Sequence, residues 1–206
     1  MTIPVDKLLN LDRMRVELLP YDDRLERREL DQIQWLVVHC TELPDMAGAR
    51  QLGEKILYPD SRTGNSGHFY VDRDGSIFQW VSLDRVAHHV SGFNRPSIGV
   101  ELVNRGRFPN WWDTTSQQMT QPYPEEQVEA FLGLLDALCA ALPGLGFIAG
   151  HEDLDRRMVT STDNPNARVQ RKMDPGPLFP WDLVLQRTRL RRNIPQDQPG
   201  PPAAQI

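Results

Sequence analysis

The stretch IQWLVVHC, residues 33–40, is a short, continuous run of β-branched and other apolar side chains with a histidine near its end. A run of this length and composition is typical of a strand that is buried in a sheet. SIGVELV at 97–103 has the same character, and a shorter run at 147–149 leads directly into Gly150 and His151. These runs predict three strands of one sheet.

The other patterned segments add a hairpin and helices. HFYVDRDGSIFQWV, residues 68–81, predicts two strands joined by a turn at Asp74 and Gly75. Apolar residues at helical spacing follow Pro124 and two glutamates, and they predict an amphipathic helix over 124–142. Because strands alternate with helices, we expect the α/β class, as a single domain with a central mixed β-sheet flanked by helices. Shorter helices are expected at 47–57 and 181–192.

Polar segments and the chain ends surround these elements. Residues 104–123 are polar, contain two tryptophans and form a longer segment than compact domains usually carry without a functional reason. Residues 155–171 are also polar, and this composition favours a lid or specificity element. We expect an N-terminal extension at 1–30, the folded domain at 31–192 and a disordered tail at 193–206.

Composition limits the classes of partner. The chain has 206 residues, 39% hydrophobic and 25% charged, which suits one sizeable globular domain. The net charge is −5, so no nucleic acid partner is expected, and the basic stretch at 187–192 is interpreted as a solvated helix end. The sequence has neither an apolar run of the ~20 residues of a membrane span nor the pattern of a signal peptide. We expect a cytoplasmic protein, monomeric and without stable membrane insertion.

Two histidines suggest a metal site. His39 and His151 each follow an apolar strand, which places both at sheet ends, where clefts of α/β folds open. A hydrogen-bonded structural role is the alternative for each, and the chain has no H-E-x-x-H or C-x-x-C motif. Two imidazoles and one carboxylate could bind Zn²⁺ with an open fourth position. The residues alone leave that carboxylate open among 28 acidic side chains.

The segment RKMDPGPLFPW, residues 171–181, places Lys172 two positions before Asp174 and follows the aspartate with Pro175 and Pro177. A surface ion pair on a turn before a helix is the simplest interpretation, and such pairs contribute little to stability. The prolines restrict the backbone directly behind Asp174. If Asp174 has a functional role, this restriction would hold its carboxylate in place.

Five blocks of the sequence carry a family resemblance. They are VVHCTE at 37–42, GHFYVDRDGSIFQWV at 67–81, AHHVSGFNRPSIGVEL at 87–102, AGHEDLD at 149–155 and KMDPGPLFPW at 172–181. In this order they resemble the zinc-dependent N-acetylmuramoyl-L-alanine amidases, a family that includes the AmpD-type amidases, the phage T7-lysozyme type and the peptidoglycan recognition proteins. Five ordered blocks over most of the chain are far more specific than any one motif.

The resemblance implies a complete hydrolytic site. Its zinc ligands correspond to His39, His151 and Asp174, and its catalytic residues to Glu101 and Lys172. Glu101 would act as general base and acid, and Lys172 would stabilise the oxyanion. The implied reaction is zinc-dependent hydrolysis of the amide between N-acetylmuramic acid, or its anhydro form, and L-alanine. The implied partner is a peptidoglycan or muropeptide substrate.

Substrate contacts are predicted at His68, His88, Asn94 and Trp111, with Trp112 beside the last. A hydrogen-bonded strand residue is an equal interpretation of His68, and a turn-forming side chain is the simpler one for Asn94. His88 matches a histidine of the family's W-H-A-G-like block, where this chain has AHHV. The tryptophans could stack on a sugar ring or cover the core.

Other functions would use the same fold. A non-catalytic peptidoglycan-binding module is one alternative, and members of that kind usually lack the third ligand. A phage endolysin that acts on intact cell wall is another. A structural zinc site is disfavoured because such sites are closed and usually rich in cysteine.

Overall fold

Nine strands occur in the part of the chain that the computed structural model describes, residue 11 and residues 14–194. They are β1 (Met14–Val16), β2 (Trp35–Cys40), β3 (Phe69–Val71), β4 (Ile77–Gln79), β5 (Ser97–Leu102), β6 (Phe147–Gly150), β7 (Met158–Thr160), β8 (Arg168–Gln170) and β9 (Arg191–Arg192). Seven form one sheet in the order β1-β4-β3-β5-β2-β6-β9, and β7 pairs with β8 in a separate hairpin. The β3–β4 pairing is antiparallel and the other pairings described in the large sheet are parallel, so the sheet is mixed, as predicted.

Four α-helices occur in the same part of the chain, and they flank the sheet. They are α1 (Met46–Gly53), α2 (Glu125–Ala141), α3 (His151–Leu154) and α4 (Trp181–Arg187). Short 3₁₀ turns lie at Asp22–Arg24, Leu30–Gln32 and Thr114–Ser116. Within these described residues, no helix combines the length and the apolar character needed to cross a bilayer.

The main hydrophobic core lies between the sheet and α2. Leu36 and Val38 of β2 share one cluster with Phe131 and Leu135 of α2. All four side chains are buried, and each contributes about 1.5–3 kcal/mol by leaving water. Because successive strand residues point to opposite faces, His39 projects from the other face of β2. A strand that buries apolar residues on one face can therefore carry a polar residue at the end of its opposite face.

Residues 14–30, predicted as an N-terminal extension, belong to the folded unit. β1 pairs with β4, and Tyr21 lies in a second apolar cluster with Tyr70 and Trp80. The Tyr21 hydroxyl donates a hydrogen bond to the carbonyl oxygen of Gly53 in α1 (2.5 Å). Apolar residues of this segment follow no clear strand or helix period, so its packing leaves no sequence signal. The predicted tail lies outside the described residues from position 195 onward.

Two predicted segments differ from the structure. The helix predicted at 181–192 ends at Arg187, and Arg191 and Arg192 form β9, which pairs with β6. The segment 155–171, predicted as a polar loop, contains the β7–β8 hairpin. These strands have only two or three residues each, too few for a recognisable alternation. The predicted strands at 33–40 and 97–103, the hairpin at 68–81 and the helix at 124–142 are confirmed.

A buried arginine ties the irregular segment that precedes β5 to the core. Arg28 is 4% exposed, and its guanidinium donates to the carbonyl oxygens of Leu83 (2.9 Å), Arg95 (2.8 Å) and Ser97 (2.6 Å). Burial lowers the pKa of Arg28 to about 10, so the side chain stays charged at neutral pH. One cation therefore gives three carbonyl groups a charged donor.

Replacing Arg28 with Met is expected to lower the free energy of unfolding by about 3 kcal/mol, because the three carbonyl oxygens lose a charged donor. Urea unfolding followed by circular dichroism measures the change. Arg27→Met is the matched control, since the neighbouring Arg27 is exposed. Similar losses of stability in the two variants would contradict the role given to Arg28.

Candidate active site

Three parallel strands bring their carboxyl ends to one edge of the sheet. β2 pairs with β5 in the register that sets His39 opposite Glu101. β2 also pairs with β6, with Val38 opposite Gly150, so His151 follows beside His39 as the first residue of α3. Parallel pairing aligns strand ends, and polar residues placed there face a common cleft.

Asp174 reaches the same edge from the segment that follows β8. The backbone N–H of Glu152 in α3 donates to the Asp174 carbonyl oxygen (3.0 Å). The Tyr123 hydroxyl donates to the carbonyl oxygen of Pro175 (2.6 Å). With the restricted φ of the proline, these bonds hold the backbone that directly follows the Asp174 side chain. Asp174 itself is buried.

His39, His151 and Asp174 form a compact cluster. Asp174 Oδ2 lies 2.9 Å from His39 Nδ1 and 3.1 Å from His151 Nδ1. One possible ligand atom from each residue lies within 4.8 Å of the others, and all three residues are buried. Burial opposes ionisation of Asp174, but His151 and Lys172 hold the pKa of its carboxyl well below the usual range. Burial lowers the pKa of His151 to about 4, which favours a neutral ring.

A chain of hydrogen bonds behind His39 determines which of its ring nitrogens carries the proton. The Ser97 hydroxyl donates to the Phe93 carbonyl oxygen (2.5 Å), so its oxygen must accept from His89 Nε2 (3.1 Å). Burial and the neighbouring His39 hold the pKa of His89 well below its usual value, so this ring is neutral and its Nδ1 accepts from His39 Nε2 (2.9 Å). Gly99 makes room for the ring, since a Cβ there would lie 2.7 Å from it.

The cluster fits a zinc ion. With its Nε2 bonded to His89, His39 directs Nδ1 at Asp174 Oδ2, 2.9 Å away. Asp174 Oδ1 is buried and has no hydrogen-bond partner among the residues that the structure describes. Both features are expected where a cation joins the donor atoms. Two imidazoles and one carboxylate are also a ligand set that catalytic zinc sites use.

Glu101 and Lys172 line the same cavity as the cluster, with a volume of about 260 Å³. It is called here the main cavity because it includes the cluster. Glu101 Oε1 lies 3.9 Å from His39 Nδ1. Burial raises the pKa of Glu101, and the charge of Asp174 raises it further, against the opposing effects of His39 and Lys172. A carboxyl group in this position holds a proton more readily than one in water.

Three of the predicted substrate-binding residues line cavities. His88 and Trp111 line the main cavity, and Asn94 lines a smaller neighbouring one of about 190 Å³ that also includes His88. Asn94 Oδ1 accepts from the backbone N–H groups of His89 (3.0 Å) and Val90 (2.7 Å). Its side chain therefore makes the turn-forming bonds of the simpler interpretation.

His68 lines neither of these cavities, and its environment fits the alternative interpretation of a hydrogen-bonded residue. The side chain is fully buried, because it enters the interior just before β3. The Gly99 N–H donates to its Nδ1 (3.1 Å), and its Nε2 lies 2.7 Å from an Arg28 guanidinium nitrogen and 3.1 Å from the Arg85 carbonyl oxygen. Burial, with the charge of Arg28, holds the pKa of His68 well below its usual value. The neutral ring thus links β5 to the irregular segment before it.

Other residues of the site were not predicted from the sequence. The buried Arg107 guanidinium pairs with both carboxylate oxygens of Glu42 (2.7 and 3.0 Å). It also donates to the carbonyl oxygens of Gln170 (2.8 Å) and Arg171 (3.1 Å), so it braces the segment that carries the lysine and aspartate of the site. Arg107 lies in a polar segment without periodicity and leaves no sequence signal. His89, by contrast, stands in the AHHV block, where either histidine could have been chosen.

The chain is similar in sequence to known amidases. A model of the N-acetylmuramoyl-L-alanine amidase family matches residues 29–177. The chain is 32% identical over 119 residues to the N-acetylmuramoyl-L-alanine amidase AmiD of Escherichia coli K12. It is 31% identical over 120 residues to the 1,6-anhydro-N-acetylmuramyl-L-alanine amidase AmpD of Enterobacter cloacae. Each match covers 54% of this chain, but only 37% of AmiD and 50% of AmpD.

The fold comparison extends further along the chain. A crystal structure of a selenomethionine derivative of AmpD superimposes with a TM-score of 0.60 and 25% identity. The superposition covers 86% of this chain and 95% of that chain. The chain therefore has the AmpD fold, although its sequence matches span half or less of the two relatives.

Replacing His89 with Leu is expected to weaken zinc binding about 10- to 100-fold, because His39 loses the acceptor that orients its ring. His89→Asn keeps an acceptor oxygen near the position of Nδ1 and should recover part of the loss. Competition with a chromogenic chelator measures the dissociation constant. His88→Leu is the matched control, since His88 packs against Tyr58. Unchanged zinc affinity in His89→Leu would contradict this role.

Proposed function

This chain belongs to the N-acetylmuramoyl-L-alanine amidase family, and we propose that it is a zinc-dependent amidase. Its reaction is hydrolysis of the amide between N-acetylmuramic acid, or the 1,6-anhydro form, and the L-alanine of a stem peptide. The observation that carries the proposal is the cluster of His39, His151 and Asp174 in one cavity with Glu101 and Lys172. The activities by which AmiD and AmpD are named support it.

His39, His151 and Asp174 are the residues that would hold the zinc ion. When bound, zinc supplies a Lewis acid that polarises a carbonyl group and makes water acidic enough to react near neutral pH. The hydrogen bond from His39 to His89 keeps the first imidazole in the tautomer that can bind metal through Nδ1. A ligand set of three leaves a coordination position open, as a catalytic site requires.

Glu101 is the residue that moves the proton. Its carboxylate takes a proton from the attacking water and passes it to the nitrogen of the leaving alanine, so one group serves as base and then as acid. This double role requires a carboxyl group that gains and loses its proton easily at the working pH. Burial shifts the pKa of Glu101 upward, in the direction that this role needs.

Lys172 supplies the positive charge for the oxyanion that develops on the scissile carbonyl. It lies two positions before Asp174, so one braced segment holds both the cation and a metal ligand. The Glu42–Arg107 ion pair fixes this segment through two backbone carbonyl groups. A cation that is already in place needs no reorganisation during the reaction, which is the main advantage of such a group.

We propose that the substrates are muropeptides, the cell-wall fragments that are recycled in the cytoplasm. The name of the AmpD relative specifies the 1,6-anhydro form, which supports this choice. Intact peptidoglycan, the substrate of an endolysin, is the alternative and would use the same residues. A non-catalytic binding module would have no use for Glu101 and Lys172. The monomeric state and the cytoplasmic location stay predictions.

Zinc-loaded protein is expected to release free stem peptide, with L-alanine at its amino end, from an anhydro-muropeptide. Liquid chromatography with mass spectrometry measures the release. A chelator should abolish it, and added zinc should restore it. Glu101→Gln is expected to lower kcat about 10²- to 10⁴-fold while zinc is retained, because the proton carrier is lost.

Glu129→Gln is the matched control for this assay. It changes an exposed carboxyl group on α2 and should keep full activity. Intact sacculi, assayed in parallel, compare polymer with soluble substrate. If zinc-loaded wild-type protein cleaves neither, the enzyme proposal fails and the binding module takes its place.

A further inference from the structure

Two adjacent tryptophans form one rim of the main cavity. Trp111 and Trp112 are 37% and 39% exposed, and both line the cavity that includes Glu101 and Lys172. Large aromatic side chains are usually buried, and their exposure beside a polar cavity marks a surface for ligand contact. This rim continues directly from the proposed catalytic residues.

Both indole rings are fixed by their single hydrogen-bond donor. Trp111 Nε1 donates to the Glu42 carbonyl oxygen (3.1 Å), and Trp112 Nε1 donates to the Arg171 carbonyl oxygen (3.4 Å). Phe108 packs edge-on against Trp111, with 5.8 Å between the ring centres. Since the protein already satisfies both N–H groups, a ligand meets only the carbon surface of these rings.

The β7–β8 hairpin holds the backbone of the rim. The Trp112 carbonyl oxygen accepts from the Thr162 N–H (3.1 Å). It also lies 2.7 Å from the Ser161 hydroxyl, which has Asp163 Oδ1 as a second acceptor. The Asp163 carboxylate accepts from the backbone N–H (2.9 Å) and the hydroxyl (2.8 Å) of Thr114. The connection between β7 and β8 is thus joined to the rim on both sides of residue 113.

The charges near the rim favour an uncharged ligand group. Arg107 is already paired with Glu42, and Arg171 shares the Asp155 carboxylate with Arg157, so both guanidinium groups beside the tryptophans already have acidic partners. A stem peptide carries carboxylates, which bind best to free cations. A sugar ring instead presents an uncharged face of C–H groups, which suits an aromatic surface.

We propose that Trp111 and Trp112 form a carbohydrate-binding shelf on which a pyranose ring of the glycan stacks, and that the β7–β8 hairpin positions this shelf. The inference rests on the proposed amidase function, because it assigns the sugar side of the scissile bond to this end of the main cavity. Among the described residues that line this cavity, none comes from 155–170. The hairpin therefore affects specificity through the tryptophans and not by direct contact.

Calorimetric titration with two probes tests the shelf. One probe is the disaccharide N-acetylglucosaminyl-N-acetylmuramic acid without peptide, and the other is the free tripeptide L-alanyl-γ-D-glutamyl-L-lysine. Trp111→Ala and Trp112→Ala are each expected to weaken disaccharide binding about tenfold and to leave tripeptide binding unchanged. Phe at either position keeps an aromatic face and should retain most of the affinity. Leu183→Ala, an equally exposed apolar residue on α4, is the control.

Asp163→Ala tests the positioning role of the hairpin. The variant loses both bonds to Thr114 and the bond to the Ser161 hydroxyl but keeps the tryptophans, so disaccharide binding should weaken about threefold. Tripeptide binding and the melting temperature should match the wild type. Disaccharide affinity equal to the wild type in this variant would overturn the positioning role.

Disaccharide binding that is unchanged in both alanine variants, or a loss of tripeptide binding instead, would overturn the shelf. These outcomes are distinct from failure of the amidase. A wild type that releases stem peptide, but binds the disaccharide independently of both tryptophans, keeps the amidase and loses the shelf. A wild type that binds the disaccharide through the tryptophans but cleaves nothing keeps the shelf and loses the amidase.

Discussion

The parallel pairing of β2 with β5 and β6 is the constraint on which the site depends. The register sets His39 opposite Glu101 and brings His151 beside them, although the three residues are far apart in the chain. A shift of β2 by one residue would turn His39 toward the apolar core under α2, where its ring would lack partners. The α2 core therefore also helps to fix the polar site, because burial of Leu36 and Val38 excludes a shift of one residue.

The third member of the cluster depends on a different kind of support. Asp174 comes from a segment outside the sheet, and buried polar contacts hold that segment in place. The Glu42–Arg107 ion pair is costly to desolvate, but the remaining donors of the guanidinium reach backbone carbonyl groups, so few polar groups are left unsatisfied. Zinc that binds the folded cluster would stabilise the fold in turn, since the unfolded chain offers no such cluster.

More of the sheet than of the site could be predicted from the residues alone. The strands at 33–40 and 97–103 are continuous apolar runs, so their burial is evident from composition. Strands β7, β8 and β9 are too short for a periodic signal, and their edge positions need few apolar residues. The ligand set could be assigned only through family resemblance, because no local spacing links the two histidines to one carboxylate. The bonds of Arg107 and His89 depend on tertiary contacts that no local pattern records.

The β7–β8 hairpin gives the segment 155–171 a structural meaning. It was expected as a lid or specificity element, and it joins the tryptophan rim to the segment that carries Lys172. The tryptophans proposed to bind the substrate and the segment that carries Lys172 would then be held by connected contacts.

Zinc content separates the roles of the two residues on that segment. Elemental analysis of the purified wild type, Asp174→Ala and Lys172→Ala would show whether the carboxylate binds the metal and the lysine does not. We expect one zinc ion per chain in the wild type and in Lys172→Ala, and little zinc in Asp174→Ala. Zinc retained by Asp174→Ala, or lost from Lys172→Ala, would contradict the assigned roles.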